Sequence, residues 1–389
     1  MNSNFKVLSF IWLFSLFIIG CGSNTTITDS NEEASSSFDW KLPSNVYPPR
    51  VPQDNPMSNE KVALGRFLFY DTQLSANQTQ SCSSCHLQDL AFSDRNKVGI
   101  GSTGEHSLRN PNSLTNTGYY TSYSWANPAL GTLERFIILP IRGDDPIELG
   151  VVPEKENEVM ARFENNATYQ KMFEEAFPQE AQPISMENIV KALASFNRML
   201  NSFNAPYDKF LRGDSTALSV QERRGMDLFM GEKAECFHCH DGISFSDSTA
   251  NEKSFTINQF FHNIGLYNVG EQGTYPEGNQ GLYETTMNQA DQGKFKAPTL
   301  RNIELTAPYM HDGSMATLEE ILELHSNGGR DVKNGVYAGN GITNPFKSDF
   351  ITVKDFTQQE KDDLIAFLKS LTDDEFINNP DISNPFKEQ

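Results

Sequence analysis

Cys82-Ser83-Ser84-Cys85-His86 and Cys236-Phe237-His238-Cys239-His240 decide how this chain of 389 residues is read. Each has the Cys-x-x-Cys-His spacing that lets two thioethers hold a haem while the adjacent imidazole binds its iron. With only 5 cysteines and 7 histidines in the chain, two such motifs do not follow from abundance of either residue. A structural zinc site built from two Cys-x-x-Cys pairs usually has them closer in sequence and needs no histidine after each pair. Disulfides suit an exported protein, but Cys-x-x-Cys loops this tight serve redox chemistry more often than stability. The motifs therefore predict two c-type haems, attached at Cys82, Cys85, Cys236 and Cys239, with His86 and His240 as iron ligands.

Outward from the motifs, a longer pattern repeats. Gly65-Arg66-Phe67-Leu68-Phe69 precedes the first and Gly225-Met226-Asp227-Leu228-Phe229 the second, both Gly-x-x-Leu-Phe. Downstream, Arg109-Asn110-Pro111 through Asn116 parallels Lys296-Ala297-Pro298 through Asn302, and Thr132-Leu133-Glu134 parallels Thr317-Leu318-Glu319. Matching features in one order predict internal duplication. Helical periodicity puts Ile189, Leu193, Phe196 and Leu200 on one face, and Leu364, Phe367, Leu368 and Leu371 on another behind a Thr357/Glu360 capping box. No comparable segment shows strand alternation, and 269–281 and 334–344 read as loops covering the haem edges. The expected fold is all-α, with two cytochrome c-like domains, one haem in each. The domains run 46–213 and 214–389, with the boundary at Arg212-Gly213-Asp214-Ser215.

The start of the chain reads as an address. Lys6, an apolar run from Val7 to Ile19 and then Gly20-Cys21 form an export signal too short for a comfortable membrane span. Its Gly-Cys ending resembles a bacterial lipoprotein signal, so 1–20 is expected to be removed and Cys21 to carry lipid. Ser, Asn, Thr, Asp and Glu dominate 21–45, which reads as a flexible tether. The expected location is the periplasmic space, with membrane contact only through the anchor. A formal charge of −20 excludes a general nucleic-acid role and disfavours anionic lipid. It favours a basic partner such as a small donor cytochrome.

The duplicated motifs, Ala307-Pro308-Tyr309-Met310-His311-Asp312-Gly313 and the Arg-Asn-Pro stretch together resemble the bacterial di-haem cytochrome c peroxidases and their relative, the tryptophylquinone-forming enzyme of methylamine dehydrogenase. The resemblance spans about residues 46 to 372. It implies that the His86 haem reacts with hydrogen peroxide and the His240 haem relays electrons, coupled through a tryptophan matched by Trp125. Trp125-Ala126-Asn127-Pro128 departs from the Trp-Asp-Gly-Arg of typical peroxidases and looks most like the di-haem enzymes of methanobactin biosynthesis, which oxidise a tryptophan in a partner protein. Asp145-Pro146-Ile147-Glu148-Leu149-Gly150 matches the segment of the family's catalytic glutamate, so Glu148 is the candidate proton carrier.

Leu318, Ile321, Leu322 and His325 follow i, i+3, i+4, i+7 behind a Thr317/Glu320 capping box, which turns His325 inward. The family's sixth ligand to the relay haem falls there, with Met310 the alternative. His106 matches a removable ligand of the reactive haem or a solvent loop. Asn110, Thr306 and Pro308 match the family's calcium donors, all oxygens of the kind calcium prefers. His262 and His311 read as core or supporting residues and His238 as incidental.

The expected activity is reduction of hydrogen peroxide to water with electrons from a small donor cytochrome. Two other readings are peroxide-dependent oxidation of a tryptophan in a protein substrate, and electron transfer without catalysis. A homodimer is one assembly open to the chain.

Overall fold

The computed structural model describes residues 38–387. The export signal, Cys21 and most of the tether expected for 21–45 lie outside the described residues. The described residues from Trp40 onward form one compact unit, and contacts reach back to Lys41, whose ammonium lies 3.3 Å from Asp381.

The chain is α-rich, and its helices start where side chains cap them. α1 (Asn59–Tyr70) is capped by Ser58, which accepts from Lys61 N. α2 (Leu133–Arg142) is capped by Thr132, and α3 (Pro153–Glu164) opens on proline. α4 (Ala167–Ala176) and α5 (Met186–Arg198) are capped by Asn166 and Ser185. α6 (Pro206–Leu211) and α7 (Val220–Phe229) lead into the second Cys-x-x-Cys-His motif. After the short α8 (Tyr283–Thr286) come α9 (Leu318–Asn327), α10 (Gln358–Lys369) and α11 (Asp374–Ile377). The Thr317/Glu320 and Thr357/Glu360 capping boxes are both present. Among the described residues no helix is long and apolar enough to cross a membrane.

Two apolar clusters organise these elements. In the first, α1 packs on α5, with Leu64, Leu68, Ile189, Leu193 and Phe196 sealed from solvent. In the second, α7 packs on α10 around Phe229, Leu364 and Phe367. Each side chain of this kind contributes roughly 1.5–3 kcal/mol by leaving water. Both helix pairs cross at the glycine of the Gly-x-x-Leu-Phe repeat. A Cβ on Gly65 would stand 2.0 Å from Ala192 O, and one on Gly225 would stand 1.9 Å from Asp363 O. Asn116 and Asn302 also correspond, each in the left-handed region at the start of a short 3-10 turn.

The two halves of the sequence interleave. Trp125 and Ala126 pack in the second cluster. Phe376 and Ile382 return to the first, where Tyr70 donates to Ile382 O at 2.8 Å. One feature departs from the expected absence of strands: β1 (Asp331–Val332) and β2 (Gly339–Asn340) form an antiparallel hairpin, β2 within the 334–344 stretch read as loop and β1 just before it. Two residues per strand leave no alternation to detect.

Candidate functional site

Both Cys-x-x-Cys-His motifs adopt the same local structure. Cys82–Ser84 and Cys236–His238 are 3-10 turns, and each following histidine is held by a backbone carbonyl. His86 Nδ1 lies 2.8 Å from Phe92 O, and His240 Nδ1 lies 2.9 Å from Phe245 O. This bond places the proton on Nδ1 and leaves Nε2 as the free donor, the arrangement of a metal-ligating imidazole. Burial holds both rings below the ordinary histidine pKa despite these carbonyl bonds, so each is neutral.

The second motif opens into a large, mainly apolar cavity, with about 1440 Å³ of empty space counting its mouth. Cys236, Cys239, His240, Met310 and His325 all line it. α9 carries His325 to the wall, with Gly328 ending the helix in a left-handed cap. Burial, with His240 as the next contribution, pushes the His325 pKa down to about 4. Two neutral imidazoles and two cysteines thus share one mainly apolar cavity. The Cys236 thiol is pushed up to about 12 by burial, which disfavours a thiolate and suits a neutral thioether. His311 also lines the cavity, and its buried Nε2 has no partner. The donor set, the apolar wall and this free polar atom fit a covalently held haem. Of the loops expected to cover haem edges, 269–281 contributes Tyr275 to the wall, and 334–344 contributes nothing.

At the first motif the facing group is different. Glu148 stands close enough to perturb both the Cys82 and Cys85 thiols. Its loop is pinned by Ser102, which donates to Glu148 O at 2.7 Å. Burial raises the Glu148 pKa, favouring the protonated carboxyl. His106 is exposed, paired through its backbone with Ile100 across a small hairpin.

Trp125 stands on the wall of the second motif's cavity. It is buried and donates from Nε1 to Asn110 O at 2.8 Å. Asn110, Thr306 and Pro308 line one small cavity beside it. The segment bearing Trp125 is tied down by Lys296, which the sequence pattern marks only as part of the repeat. Lys296 N donates to Trp125 O at 2.8 Å, and its ammonium donates to Ser122 O at 2.9 Å. The ammonium also lies 3.8 Å from the Tyr120 ring centroid. Desolvation lowers the Lys296 pKa to about 7. The available signal was positional, since Lys296 aligns with Arg109 in the duplicated pattern.

The other histidines have plain roles. His262 lies 2.6 Å from Asp247; burial pulls its pKa down, but Asp247 and the Cys239 thiol outweigh this and raise it to about 10. His311 stacks on Phe295 at 3.7 Å, and His238 stacks on Phe350 at 4.1 Å.

A family model described as di-haem cytochrome c peroxidase matches residues 59–216. The cytochrome-c peroxidase IdrP1 of Pseudomonas sp. (strain SCT) is 32% identical, covering 87% of each chain. The methylamine utilization protein MauG of Methylorubrum extorquens is 30% identical, covering 90% of this chain and 88% of its own. Among solved structures, a MauG-like protein associated with microbial copper homeostasis is 48% identical with a TM-score of 0.89, covering 90% of this chain and all of that one. The diheme peroxidase BthA of Burkholderia thailandensis, at 21% identity and a TM-score of 0.64, shares the fold.

Proposed function

We propose that this protein, which belongs to the di-haem cytochrome c peroxidase family, reduces hydrogen peroxide to water with two electrons from an external donor such as a small cytochrome. The observation that carries the reading is an asymmetry. Two copies of one haem-attachment motif face different groups, His325 in the second and the half-buried carboxyl of Glu148 in the first. A site closed by a second imidazole suits electron relay; a site faced by a carboxyl whose proton affinity is raised by burial suits proton transfer.

Haem, held through Cys82, Cys85, Cys236 and Cys239, supplies the redox chemistry when bound. His86 and His240 would hold its iron, and His325 would offer a second imidazole on the relay side. Glu148 carries a proton from the inner to the outer oxygen of peroxide, so the leaving group departs as water. Trp125, on the wall of the relay cavity, is the proposed coupling residue between the two haems. Residues 46–213 and 214–389 each form a cytochrome c-like domain, a reading supported by the paired glycine crossings and matching histidine bonds. Asn110, Thr306 and Pro308 are proposed donors to a calcium ion. The signal at 1–20 supports export with lipid on Cys21.

A second reading has the same equivalents oxidise a tryptophan in a protein substrate. Trp125-Ala126-Asn127-Pro128 and His325 favour it, as does the 48% identity to a MauG-like protein.

The test is peroxide-dependent oxidation of a reduced small cytochrome by the holoprotein. Steady turnover supports the peroxidase reading. Peroxide consumption without oxidation of the cytochrome supports a protein substrate. Inertness to peroxide in both the oxidised and half-reduced protein would leave an electron carrier.

A further inference from the structure

A file of tyrosines leads away from the large cavity. Tyr275 lines the cavity wall and is buried. Its ring centroid lies 5.6 Å from that of Tyr267, which lies 6.1 Å from that of Tyr337. Tyr337 sits between β1 and β2 at the tip of their hairpin and is 46% exposed, beside Val336 at 84%. On the inner side, Tyr275 is 6.3 Å from His311, which is 6.4 Å from Trp125. These spacings are those of rings in edge contact.

The middle residue has the setting that makes a phenol oxidisable. An electron leaves a buried tyrosine readily only if its proton leaves too, because a phenol cation in a low-dielectric interior is costly. The Tyr267 hydroxyl donates to Asp312 Oδ2 at 2.7 Å. Asp312 Oδ1 accepts from Ser314 N at 3.0 Å, so the carboxylate is fixed in position to receive the proton.

We propose that Tyr275, Tyr267 and Tyr337 form a one-electron relay that carries oxidising equivalents from the cavity to the protein surface, with Asp312 as proton acceptor for Tyr267. The relay rests on the peroxide reading for its source of oxidant. Electrons move inward: Tyr267 gives one toward the cavity across the intervening ring of Tyr275, which bridges the step without itself being oxidised because its hydroxyl donates only to the amide oxygen of Asn263, and Tyr337 refills Tyr267. The Tyr267 proton passes to Asp312 and returns when Tyr267 is reduced. Tyr337 loses one electron and gives its proton to water, becoming a neutral phenoxyl radical at the surface. Hydrogen peroxide is the terminal oxidant, and each molecule takes two electrons and two protons to give two waters. The hairpin tip is therefore the place where an electron-rich group outside the chain meets the oxidising power of the interior.

The experiment has two arms on the holoprotein, comparing wild type with Tyr267→Phe and Tyr337→Phe, each checked for native circular dichroism and haem content. In the first, hydrogen peroxide is added with biotin-tyramide, peroxide loss is followed, and the label is mapped by peptide mass spectrometry. Label at Tyr337 in wild type that is lost in Tyr267→Phe supports the relay. Equal label at Tyr337 in both, or none at Tyr337 while peroxide is consumed, overturns it and leaves the peroxide reading standing. In the second, photogenerated ruthenium(III) tris(bipyridine) oxidises the protein without peroxide, and frozen samples are read by EPR. A tyrosyl signal that disappears in Tyr337→Phe and changes its g-values in Tyr267→Phe, as the radical stays at the surface instead of settling on Tyr267, supports the relay even if peroxide fails to react. A signal indifferent to both substitutions, or no signal, overturns it.

Discussion

The ammonium of Lys296 donates to the backbone oxygen of Ser122 at 2.9 Å, fully enclosed by protein. A buried cation paired only with a carbonyl and an aromatic face is costly. It also holds the segment that presents Trp125.

This cost sets a pH dependence. Desolvation lowers the Lys296 pKa to about 7 in the folded protein, against about 10.4 in an unfolded chain. Between those values the unfolded chain binds more protons, so stability rises with pH from about 7 toward 10, by several kcal/mol at most. Below about 7 the penalty is fully present. Lys296→Met is expected to flatten that rise, as read by guanidinium unfolding at pH 6 and pH 9. A slope unchanged in the variant would show that Lys296 is not its source.

The helix crossings predict a second result. Gly65→Ala and Gly225→Ala each place a methyl about two ångströms from a backbone oxygen, at Ala192 and Asp363. The helices must separate, and overpacking of this kind costs roughly 1–3 kcal/mol or more. Gly131, exposed, without a left-handed φ and with Gln259 Nε2 at 3.6 Å as the nearest neighbour of an added Cβ, is the control, as Gly131→Ala. Thermal melts of the three variants check this, with the two crossing variants expected to melt well below wild type.

At the relay site, His325→Ala is expected to abolish the low-spin bis-histidine signature in EPR, while Met310→Leu leaves it intact. His325 neighbours His240 electrostatically across the cavity, whereas Met310 shares only its wall. If Met310→Leu changes the spectrum and His325→Ala does not, the sixth ligand is Met310.

Much of this was written in short-range pattern. The haem motifs, the repeated Gly-x-x-Leu-Phe and the Thr317 and Thr357 caps are read from residues a few positions apart. His325 was placed on the inward face by period alone. Lys296 and the Tyr267–Asp312 pair were not legible, because Ser122 is 174 residues from Lys296 and Asp312 is 45 from Tyr267. Side chains that meet only in three dimensions leave no period. The return of Phe376 and Ile382 to the first core was hidden for the same reason. The β1–β2 hairpin was hidden by its shortness.

The most direct measurement is stopped-flow consumption of one equivalent of hydrogen peroxide by wild type and Glu148→Gln, matched for haem content and absorption spectrum. Loss of a positioned proton carrier lowers rates by roughly 100- to 10,000-fold. The account predicts rapid consumption by wild type and a loss in that range in the variant. Equal rates in the two proteins would contradict it.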